Sequence, residues 1–162
     1  MLTKEEVYAK LEELGIAFDK MEHEPVYTID EMKLIEGMNI EDVCKNLFIR
    51  DEKGKRHFLV VLREDKSADL KALREQIGST RLSFASEERL MKYMGLTKGA
   101  VTPLGLLNDE SKSVEVLFDQ DLKGRPTLGF HPCDNTATVW ISFDNIKKVI
   151  ESRGNSLKFV KI

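Results

Sequence analysis

The sequence contains few cysteines and histidines and no long apolar segment. Its two cysteines, Cys44 and Cys133, form no Cys-x-x-Cys pattern, and three histidines are present, so neither a disulfide framework nor a structural zinc site is expected. No apolar run approaches the ~20 residues that span a bilayer. Charged residues begin at Lys4, which does not suit a signal peptide. We therefore expect a cytoplasmic protein with reduced thiols and no membrane association.

The chain also lacks an excess of basic residues. Lysines and arginines number 25 against 28 aspartates and glutamates, which gives a net charge of -3. Strong non-specific nucleic-acid binders are usually basic, so this class is disfavoured, whereas a protein that holds one end of an RNA through a local basic patch is not excluded. The 162 residues, 41% apolar and 33% charged, suit one soluble globular domain spanning residues 1–162, which we expect to be a monomer.

Capping patterns and apolar periodicity predict five helices. A capping box, in which a threonine precedes a glutamate by three residues, occurs twice and predicts helix starts at Lys4 and Ile29. The apolar side of the first helix is predicted to consist of Val7, Leu11 and Leu14. The predicted helices span residues 4–14, 29–36, 68–76, 87–94 and 144–153.

A hairpin with a buried second strand dominates the strand pattern. The run Phe58–Leu62 is apolar on both faces, which predicts a central strand. The predicted strands span residues 17–21, 43–50, 57–63, 81–85, 114–118, 127–130, 137–142 and 157–160. Helices scattered among strands, several of them joined as hairpins, indicate an α+β fold with a mixed, mostly antiparallel sheet and surrounding helices.

The motifs of the common nucleotide-binding, metalloprotease and serine-hydrolase sites are absent, but three short segments have an unusual composition. In the first, Lys45 and Asn46 begin an otherwise apolar strand and point to opposite faces, so at least one of them could face inward. A lysine ammonium beside a cleft can bind a phosphate or stabilise an oxyanion. The simpler alternative is an edge-strand lysine that reaches solvent.

The second segment is the loop of residues 99–103. Gly99 allows close backbone approach to a ligand, and consecutive free amides can orient a carbonyl or a water molecule. Pro103 rigidifies the end of the loop. The alternative is an ordinary connection between a helix and a strand, because this spacing of glycine and proline is common.

The third segment is the stretch of residues 129–138. His131 ends an apolar strand, and a polar turn containing Asn135 and Thr136 leads into the next one. Such a histidine can be a general base, a hydrogen-bond partner of the substrate or a structural residue. Cys133 has no activating partner nearby in the sequence, which argues against a thiol nucleophile.

Taken together and in this order, these segments resemble the YbaK/ProX-like family of aminoacyl-tRNA editing domains. These are free-standing deacylases related to the editing insertion of bacterial prolyl-tRNA synthetase. The resemblance spans nearly the whole chain. The N-terminal stretch through residues 14–16, residues 23–28 and the predicted helix to Glu36 is more similar to the subgroup that deacylates alanyl-tRNA for proline than to the cysteinyl-specific subgroup. The matching residues are Lys45-Asn46-Leu47-Phe48, Gly99-Ala100-Val101-Thr102-Pro103 and Gly129-Phe130-His131-Pro132 with Asn135 and Thr136.

The resemblance implies hydrolysis of mischarged alanyl-tRNA(Pro) without a metal, a cofactor or a protein nucleophile, with the substrate's own 2′-hydroxyl taking part. Lys45 would engage the terminal phosphate or the carbonyl, the loop at Gly99 would place backbone amides near the ester, and His131 would line the aminoacyl pocket. These three residues are predicted to be catalytic. The predicted substrate-binding residues are Asn46, Ala100, Val101, Thr102, Pro103, Asn135, Thr136, Ile29, Met32 and Leu47.

Substrate selection would follow the logic of a second sieve. A synthetase pocket built for proline cannot strongly reject alanine, since a missing methylene is worth only about 1–3 kcal/mol. A second pocket walled by Ile29, Met32 and Leu47 would admit alanine and exclude proline. The expected partner is the acceptor end of tRNA(Pro) carrying alanine, with prolyl-tRNA synthetase as a candidate for reading tRNA identity. A deacylase for cysteinyl or another small aminoacyl group, and a non-catalytic tRNA-binding module of the same fold, remain open alternatives.

Overall fold

Eight strands lie within residues 2–162, the part of the chain that the computed structural model describes. They are β1 (Asp19–Glu22), β2 (Cys44–Arg50), β3 (His57–Arg63), β4 (Ser83–Phe84), β5 (Val114–Asp119), β6 (Leu128–Phe130), β7 (Ala137–Ile141) and β8 (Leu157–Val160). The larger sheet has the order β4-β2-β3-β5-β8, and the smaller sheet has the order β1-β7-β6. Strand β1 begins two residues later than its predicted range of 17–21. Strand β4 is shorter than its predicted range of 81–85.

The β2–β3 hairpin lies at the centre of the larger sheet. Its strands pair antiparallel, from Cys44 opposite Arg63 to Arg50 opposite His57. Strand β3 also pairs in parallel with β5, and every residue of the run Phe58–Leu62 is 0% exposed. A strand covered on both faces needs apolar side chains at consecutive positions. The predicted central strand is therefore confirmed.

The strands divide between two sheets rather than one. Antiparallel pairs (β2–β3, β2–β4, β1–β7 and β6–β7) outnumber parallel pairs (β3–β5 and β5–β8), which confirms the α+β fold with mostly antiparallel pairing. An isolated parallel bridge between Val43 and Gly129 joins the sheets. This bridge brings the start of β2 beside β6, so two of the three segments that the sequence singles out are neighbours.

Five α-helices accompany the sheets, and their caps follow the sequence closely. They are α1 (Lys4–Glu13), α2 (Ile29–Met32), α3 (Leu70–Ile77), α4 (Glu87–Met94) and α5 (Phe143–Arg153). Helix α4 begins after Ser86, whose hydroxyl accepts from the amide of Arg89, and ends at Gly95 with a left-handed φ of 62°. Within residues 2–162, none of the helices has the length and hydropathy of a bilayer-spanning segment.

Helix α2 is much shorter than the predicted range of 29–36. The Thr28 hydroxyl accepts from the amide of Glu31 at 3.1 Å, but the Glu31 carboxylate accepts from the amide of Tyr27 at 2.9 Å, so the capping box is not closed. After Lys33 the backbone hydrogen bonds tighten to i→i−3 spacing, and Leu34 is 86% exposed. Short helices depend on tertiary packing, and of residues 33–36 only Ile35 packs against the cluster of Val26, Met32 and Val43.

The apolar side of α1 also differs from the prediction. Val7 and Leu11 are fully buried, but Leu14 is 44% exposed because α1 ends at Glu13 and Leu14 is the capping residue beyond it. Tyr8 is buried in its place. Segment 96–108, where the apolar periodicity breaks, contains two 3-10 helices, Lys98–Ala100 and Pro103–Asn108.

Apolar side chains fill both faces of the larger sheet. One cluster packs alternate residues of β3, such as Leu59 and Val61, against residues of α1, α4 and α5. A second cluster packs the intervening residues of β3 against α3. A third, smaller cluster, centred on Val26, Met32 and Val43, lies where α2 meets the start of β2.

Candidate active site

A cavity of about 160 Å³ lies where the start of β2, the end of β6 and the loop after α4 come together. The small cluster of Val26, Met32 and Val43 forms part of its wall. Most ligand cavities measure ~300–1,000 Å³, so this one suits a group of few atoms. The predicted site residues that line it are Ile29, Met32, Lys45, Asn46, Leu47, Gly99, Val101 and His131.

Three predicted residues of the loop lie beneath the cavity instead of on it. Ala100 is 2% exposed and Thr102 is 0% exposed, and Pro103 is also buried. The Thr102 hydroxyl accepts from the amide of Leu104 at 3.3 Å and caps the second 3-10 helix. These side chains fix the path of the loop, and the structure does not bring them to the cavity.

Asn135 and Thr136 also lie off the cavity lining. The Asn135 side-chain amide donates to the carbonyl of Val26 at 2.9 Å, which ties the turn after β6 to the segment before α2. The Thr136 hydroxyl donates to Asp134 at 2.6 Å and accepts from the Lys4 ammonium at 2.9 Å. Both residues hold the turn in place beside the cavity.

Lys45 is a cavity residue whose ammonium is held in a fixed position. It lies opposite Leu62 in the hairpin, and its Nζ donates to the backbone carbonyl of Lys66 in the loop after β3. The Lys66 ammonium in turn lies 3.0 Å from the carboxylate of the fully buried Asp119 and 2.6 Å from that of Asp121. Since an ammonium has three hydrogens, Lys45 keeps two donors for a ligand.

Asn46 follows Lys45 in β2 and therefore points to the opposite face of the strand, where it contributes an unpaired acceptor. Its Nδ2 makes a long contact of 3.5 Å with the carbonyl of Cys44, and its buried Oδ1 has no hydrogen-bond partner within residues 2–162. Buried polar atoms are nearly always paired, and leaving one unpaired costs about 1–3 kcal/mol. Because Asn46 lines the cavity, a bound group can supply the missing partner.

Gly99 lies against the ring of Tyr27 at the rim of the cavity. A Cβ added at Gly99 would lie 2.6 Å from Cδ1 of Tyr27 and 3.2 Å from Nδ2 of Asn135. Glycine is therefore required here because the side chain of any other residue would clash with the Tyr27 ring. The sequence predicted an approach by a ligand, whereas in the structure the approaching group is a side chain that is itself 70% exposed.

The same loop presents a free backbone amide to the cavity. The amide of Ala100 donates to the carbonyl of Thr97 at 3.1 Å. The 3-10 helix Lys98–Ala100 directs the amide of Val101 at the carbonyl of Lys98, whereas the amide of Gly99, which lines the cavity, has no acceptor within residues 2–162. A free amide can bind a carbonyl oxygen or an oxyanion.

His131 is a neutral acceptor in this cavity. Its Nδ1 lies 2.9 Å from the carbonyl of Ala137. A carbonyl can only accept, so Nδ1 carries the proton and Nε2 is the free acceptor of the neutral ring. Burial lowers the pKa of His131 below its ordinary value, against the opposing effect of the bond to Ala137 and with a further small lowering by His23. The imidazole is therefore uncharged at neutral pH.

His23 and Thr138 form a second hydrogen-bonded pair beside His131. The His23 Nδ1 donates to the carbonyl of Glu24 at 2.8 Å, and its Nε2 lies 2.9 Å from the Thr138 hydroxyl oxygen. The ring centroids of His23 and His131 are 6.3 Å apart. Thr138 is 0% exposed and lines the cavity, and its oxygen keeps lone pairs for a ligand.

Sequence reasoning missed several cavity residues, among them Tyr27, Lys98 and Thr138. Thr138 lies on the face of β7 that also carries Trp140, whereas Val139 and Ile141 on the other face pack into the main core, so the strand pattern gave no signal for it. Lys98 is exposed beside Gly99 and makes no ion pair within residues 2–162. His57 of β3 is 1% exposed and stacks on Tyr93 in the core, away from the cavity.

Neither cysteine is a ready nucleophile. Burial raises the pKa of the Cys44 thiol far above its ordinary value and raises that of Cys133 to about 12. Because the thiolate is the reactive form, both groups are inert at neutral pH. Among the described residues, no group of three or more histidines, cysteines or acidic residues is placed to hold a metal ion.

Comparisons with known proteins place this chain in a defined family. The model of the aminoacyl-tRNA editing domain matches residues 23–149. The chain is 51% identical over 162 residues to the prolyl-tRNA editing protein ProX of Acetoanaerobium sticklandii, covering 100% of this chain and 99% of that protein. It is 33% identical over 150 residues to the prolyl-tRNA synthetase associated domain-containing protein 1 of Danio rerio, covering 91% of this chain and 81% of the relative.

A solved structure supports the fold. The crystal structure of a candidate trans-editing enzyme for prolyl-tRNA synthetase superposes with a TM-score of 0.74 at 21% identity, covering 100% of this chain and 99% of that one. At this identity the likeness concerns the fold alone. The matched family model covers most of the chain and includes the cavity residues from β2, the loop at Gly99 and β6. The chain therefore belongs to the aminoacyl-tRNA editing domain family, and it is an aminoacyl-tRNA deacylase, a hydrolase of the ester that joins an amino acid to tRNA.

Proposed function

We propose that this deacylase edits tRNA(Pro) and hydrolyses alanyl-tRNA(Pro), releasing alanine and free tRNA. The observation that carries the proposal is the small cavity in which apolar walls from Ile29 and Met32 meet the polar groups of Lys45 and Asn46. Such a cavity suits an ester with a short apolar side chain. The choice of tRNA(Pro) is supported by the name of the 51% identical relative, a prolyl-tRNA editing protein.

The reacting ester carbonyl would lie against the free amide of Gly99. As water attacks, negative charge develops on the carbonyl oxygen, and one oriented donor at such an oxygen is typically worth about 3 kcal/mol. The two unused hydrogens of the Lys45 ammonium would bind the same oxygen or the adjoining phosphate. An aminoacyl ester is already reactive, so orientation and charge stabilisation are enough without a nucleophilic side chain.

The leaving group in this scheme is the terminal ribose of the tRNA, whose 2′-hydroxyl lies next to the ester. This hydroxyl can orient the attacking water or pass a proton to the leaving oxygen, a role that needs no protein base. His131, neutral and tied to Ala137, would then serve substrate placement rather than proton abstraction.

Selection against proline would rest on shape. The cavity of about 160 Å³ has walls from Ile29, Met32 and Leu47, and a five-membered ring needs more room than a methyl group. Overfilling a packed pocket typically costs about 1–3 kcal/mol, which gives discrimination of about 10- to 100-fold from shape alone. The site would thereby spare the correctly charged tRNA.

We further propose that residues 1–162 act as one domain, as a monomer in the cytoplasm, with prolyl-tRNA synthetase as a partner that supplies the mischarged tRNA. The net charge of -3 suits a protein that contacts only the acceptor end. Lys45 and the exposed Lys98 are cavity residues whose charge would attract the terminal phosphates.

The experiment is a deacylation assay with tRNA(Pro) charged in turn with alanine, cysteine and proline. We expect the purified protein to release alanine fastest and to leave prolyl-tRNA(Pro) intact. Alanyl ester that survives as long as in buffer would overturn the proposal. Faster release of cysteine than of alanine would show that the protein is a deacylase whose preferred substrate is cysteinyl-tRNA(Pro).

A matched pair of variants links the activity to the cavity. Lys45→Met removes the ammonium and keeps the length of the side chain, whereas Lys53→Met makes the same change in the exposed turn of the hairpin, far from the cavity. We expect a loss of about 100-fold or more in the first variant and none in the second. Tight binding of tRNA without ester cleavage by the unmodified protein would favour a non-catalytic module instead.

A further inference from the structure

We propose that Trp140 is a positioning residue that holds the apolar wall of the cavity in the place where this wall excludes proline. The inference rests on the proposed function and deepens it, because it names a residue that sets the specificity of the site. Trp140 is the only tryptophan of the chain, lies on β7 and is not part of the cavity lining. It acts on the substrate through the residues in front of it.

The Trp140 ring lies across the backbone of β6 beside the cavity. Trp140 pairs with Gly129 of β6 on one side and with Asp19 of β1 on the other. A Cβ added at Gly129 would lie 2.6 Å from Cζ3 and 3.1 Å from Cε3 of the ring. Gly129 itself lines the cavity and forms the bridge to Val43 at the start of β2. Because Gly129 has no side chain, the ring reaches the junction of the two sheets.

The ring supports three residues of the cavity wall from behind. It packs against the cluster of Val26, Met32 and Val43, each of which is 4% exposed and lines the cavity. Within residues 2–162, the other half-buried side chains packed against this cluster lie in α2 and the segment after it, up to Ile40, and all are smaller than Trp140. Protein interiors are closely packed, so a wall side chain moves outward only if the atoms behind it give way.

Behind the wall, Trp140 also borders open space. The residue is half-buried and lines a surface hollow of about 280 Å³, together with Phe18, Thr127 and Asn145 among others. The ring therefore separates the wall of the cavity from this hollow. Truncating Trp140 would join the space behind the wall to the hollow, and the wall side chains could then retreat into it.

This arrangement affects the two aminoacyl esters differently. The methyl group of alanine fits the cavity whether or not the wall can move, so cleavage of the alanyl ester depends little on Trp140. The ring of proline enters only if the wall is displaced, and the cost of overfilling a packed site opposes that displacement. A wall that can retreat lowers this cost. The preference for alanine over proline therefore depends on a residue that touches neither substrate.

The test compares Trp140→Ala with Tyr93→Ala, which truncates another half-buried aromatic residue, stacked on His57 away from the cavity. The kcat/KM of each variant is measured for alanyl- and prolyl-tRNA(Pro) and corrected for hydrolysis in buffer. In Trp140→Ala we expect the alanyl-to-prolyl ratio to fall about 10-fold through faster prolyl cleavage, with less than about 3-fold change for the alanyl ester. Tyr93→Ala should keep the ratio, even if urea unfolding shows an equal loss of stability. An unchanged ratio in Trp140→Ala, or an equal fall in both variants, would overturn the inference.

Free indole gives a second readout that a general loss of stability would not produce. Trp140→Ala leaves a space of the size of the lost ring, open to the hollow, and apolar cavities take up aromatic molecules that fit them. Added indole should restore most of the lost ratio in Trp140→Ala and should change neither the unmodified protein nor Tyr93→Ala. A ratio that stays low with indole would overturn the inference.

Trp140→Phe keeps the inference testable if Trp140→Ala does not fold. The smaller aromatic ring leaves part of the support behind the wall, so the alanyl-to-prolyl ratio should fall by less than in Trp140→Ala but should still fall. A ratio equal to that of the unmodified protein would overturn the role of Trp140 and leave the deacylase function standing. Failure of the unmodified protein to cleave the alanyl ester would overturn the proposed function itself, and the inference with it.

Discussion

Replacing Gly99 with alanine would reveal how the loop at the rim of the cavity works. The added Cβ would lie 2.6 Å from Cδ1 and 2.9 Å from Cε1 of Tyr27, distances that require a displacement. Because Tyr27 is 70% exposed, its ring can turn into solvent, whereas the 3-10 helix around Gly99 is anchored by the buried Ala100. The ring should therefore move and the loop should stay.

The two consequences of this movement differ in size. Overpacking a rigid core costs about 1–3 kcal/mol, but an exposed ring can relax, so we expect a stability loss below about 1 kcal/mol. Catalysis should suffer more, because a misplacement of about 1 Å in a site can cost about 100-fold. We expect kcat/KM for alanyl-tRNA(Pro) to fall by about 10- to 100-fold while the protein remains folded.

A double-mutant cycle isolates the contact. Single-turnover deacylation is measured for the unmodified protein, Gly99→Ala, Tyr27→Ala and the double variant, with urea unfolding as the control for stability. If Gly99 acts by seating the Tyr27 ring, Gly99→Ala should cost less than about 2-fold once that ring is gone. An undiminished loss in the double variant would refute the reasoning and would favour direct approach of the substrate to the glycine backbone.

Three further predictions concern the groups beneath and beside the cavity. Lys66→Met leaves the fully buried carboxylate of Asp119 without its cation. The free energy of unfolding, measured in urea, should therefore fall by about 3 kcal/mol, whereas the control Lys53→Met should leave it unchanged. Asp119→Asn should lower kcat more than its effect on stability explains, since the Lys66 loop holds Lys45; an unchanged kcat would contradict this. Because burial lowers the pKa of His131, its ring should stay neutral as the pH falls to 6.5. The kcat/KM for deacylation should therefore decline only below that pH. A decline centred above pH 7 would count against a neutral His131.

The local elements of the fold follow from the sequence because their signals are local. The ends of α4 at Ser86 and Gly95 and the hairpin with its buried run at Phe58–Leu62 depend on caps and on consecutive apolar residues, both visible in the chain. Helix α2 is shorter than predicted because its capping pattern is present but, of the residues predicted to follow Met32 in the helix, only Ile35 packs against the apolar cluster. The division into two sheets depends on long-range pairing, which strand patterns do not encode.

The candidate site shows the same limit. Lys45, Gly99 and His131 stand out in the sequence as residues of unusual type at the ends of strands and in a glycine loop, and the structure brings them to one cavity. Thr138 could not be predicted, because its place on the cavity comes from the pairing of β7 with β1 and β6, which the sequence does not show. The contact between Tyr27 and Gly99 joins residues distant in sequence and becomes visible only in three dimensions.

The most direct measurement of the central claim is a competition in one tube. Equal amounts of alanyl-tRNA(Pro) and prolyl-tRNA(Pro), each with a distinct isotope in its amino acid, are mixed with the protein, and the release of both amino acids is followed over time. The small cavity predicts that alanine is released about 10- to 100-fold faster than proline after correction for hydrolysis in buffer. Release of the two amino acids at equal corrected rates would contradict the account.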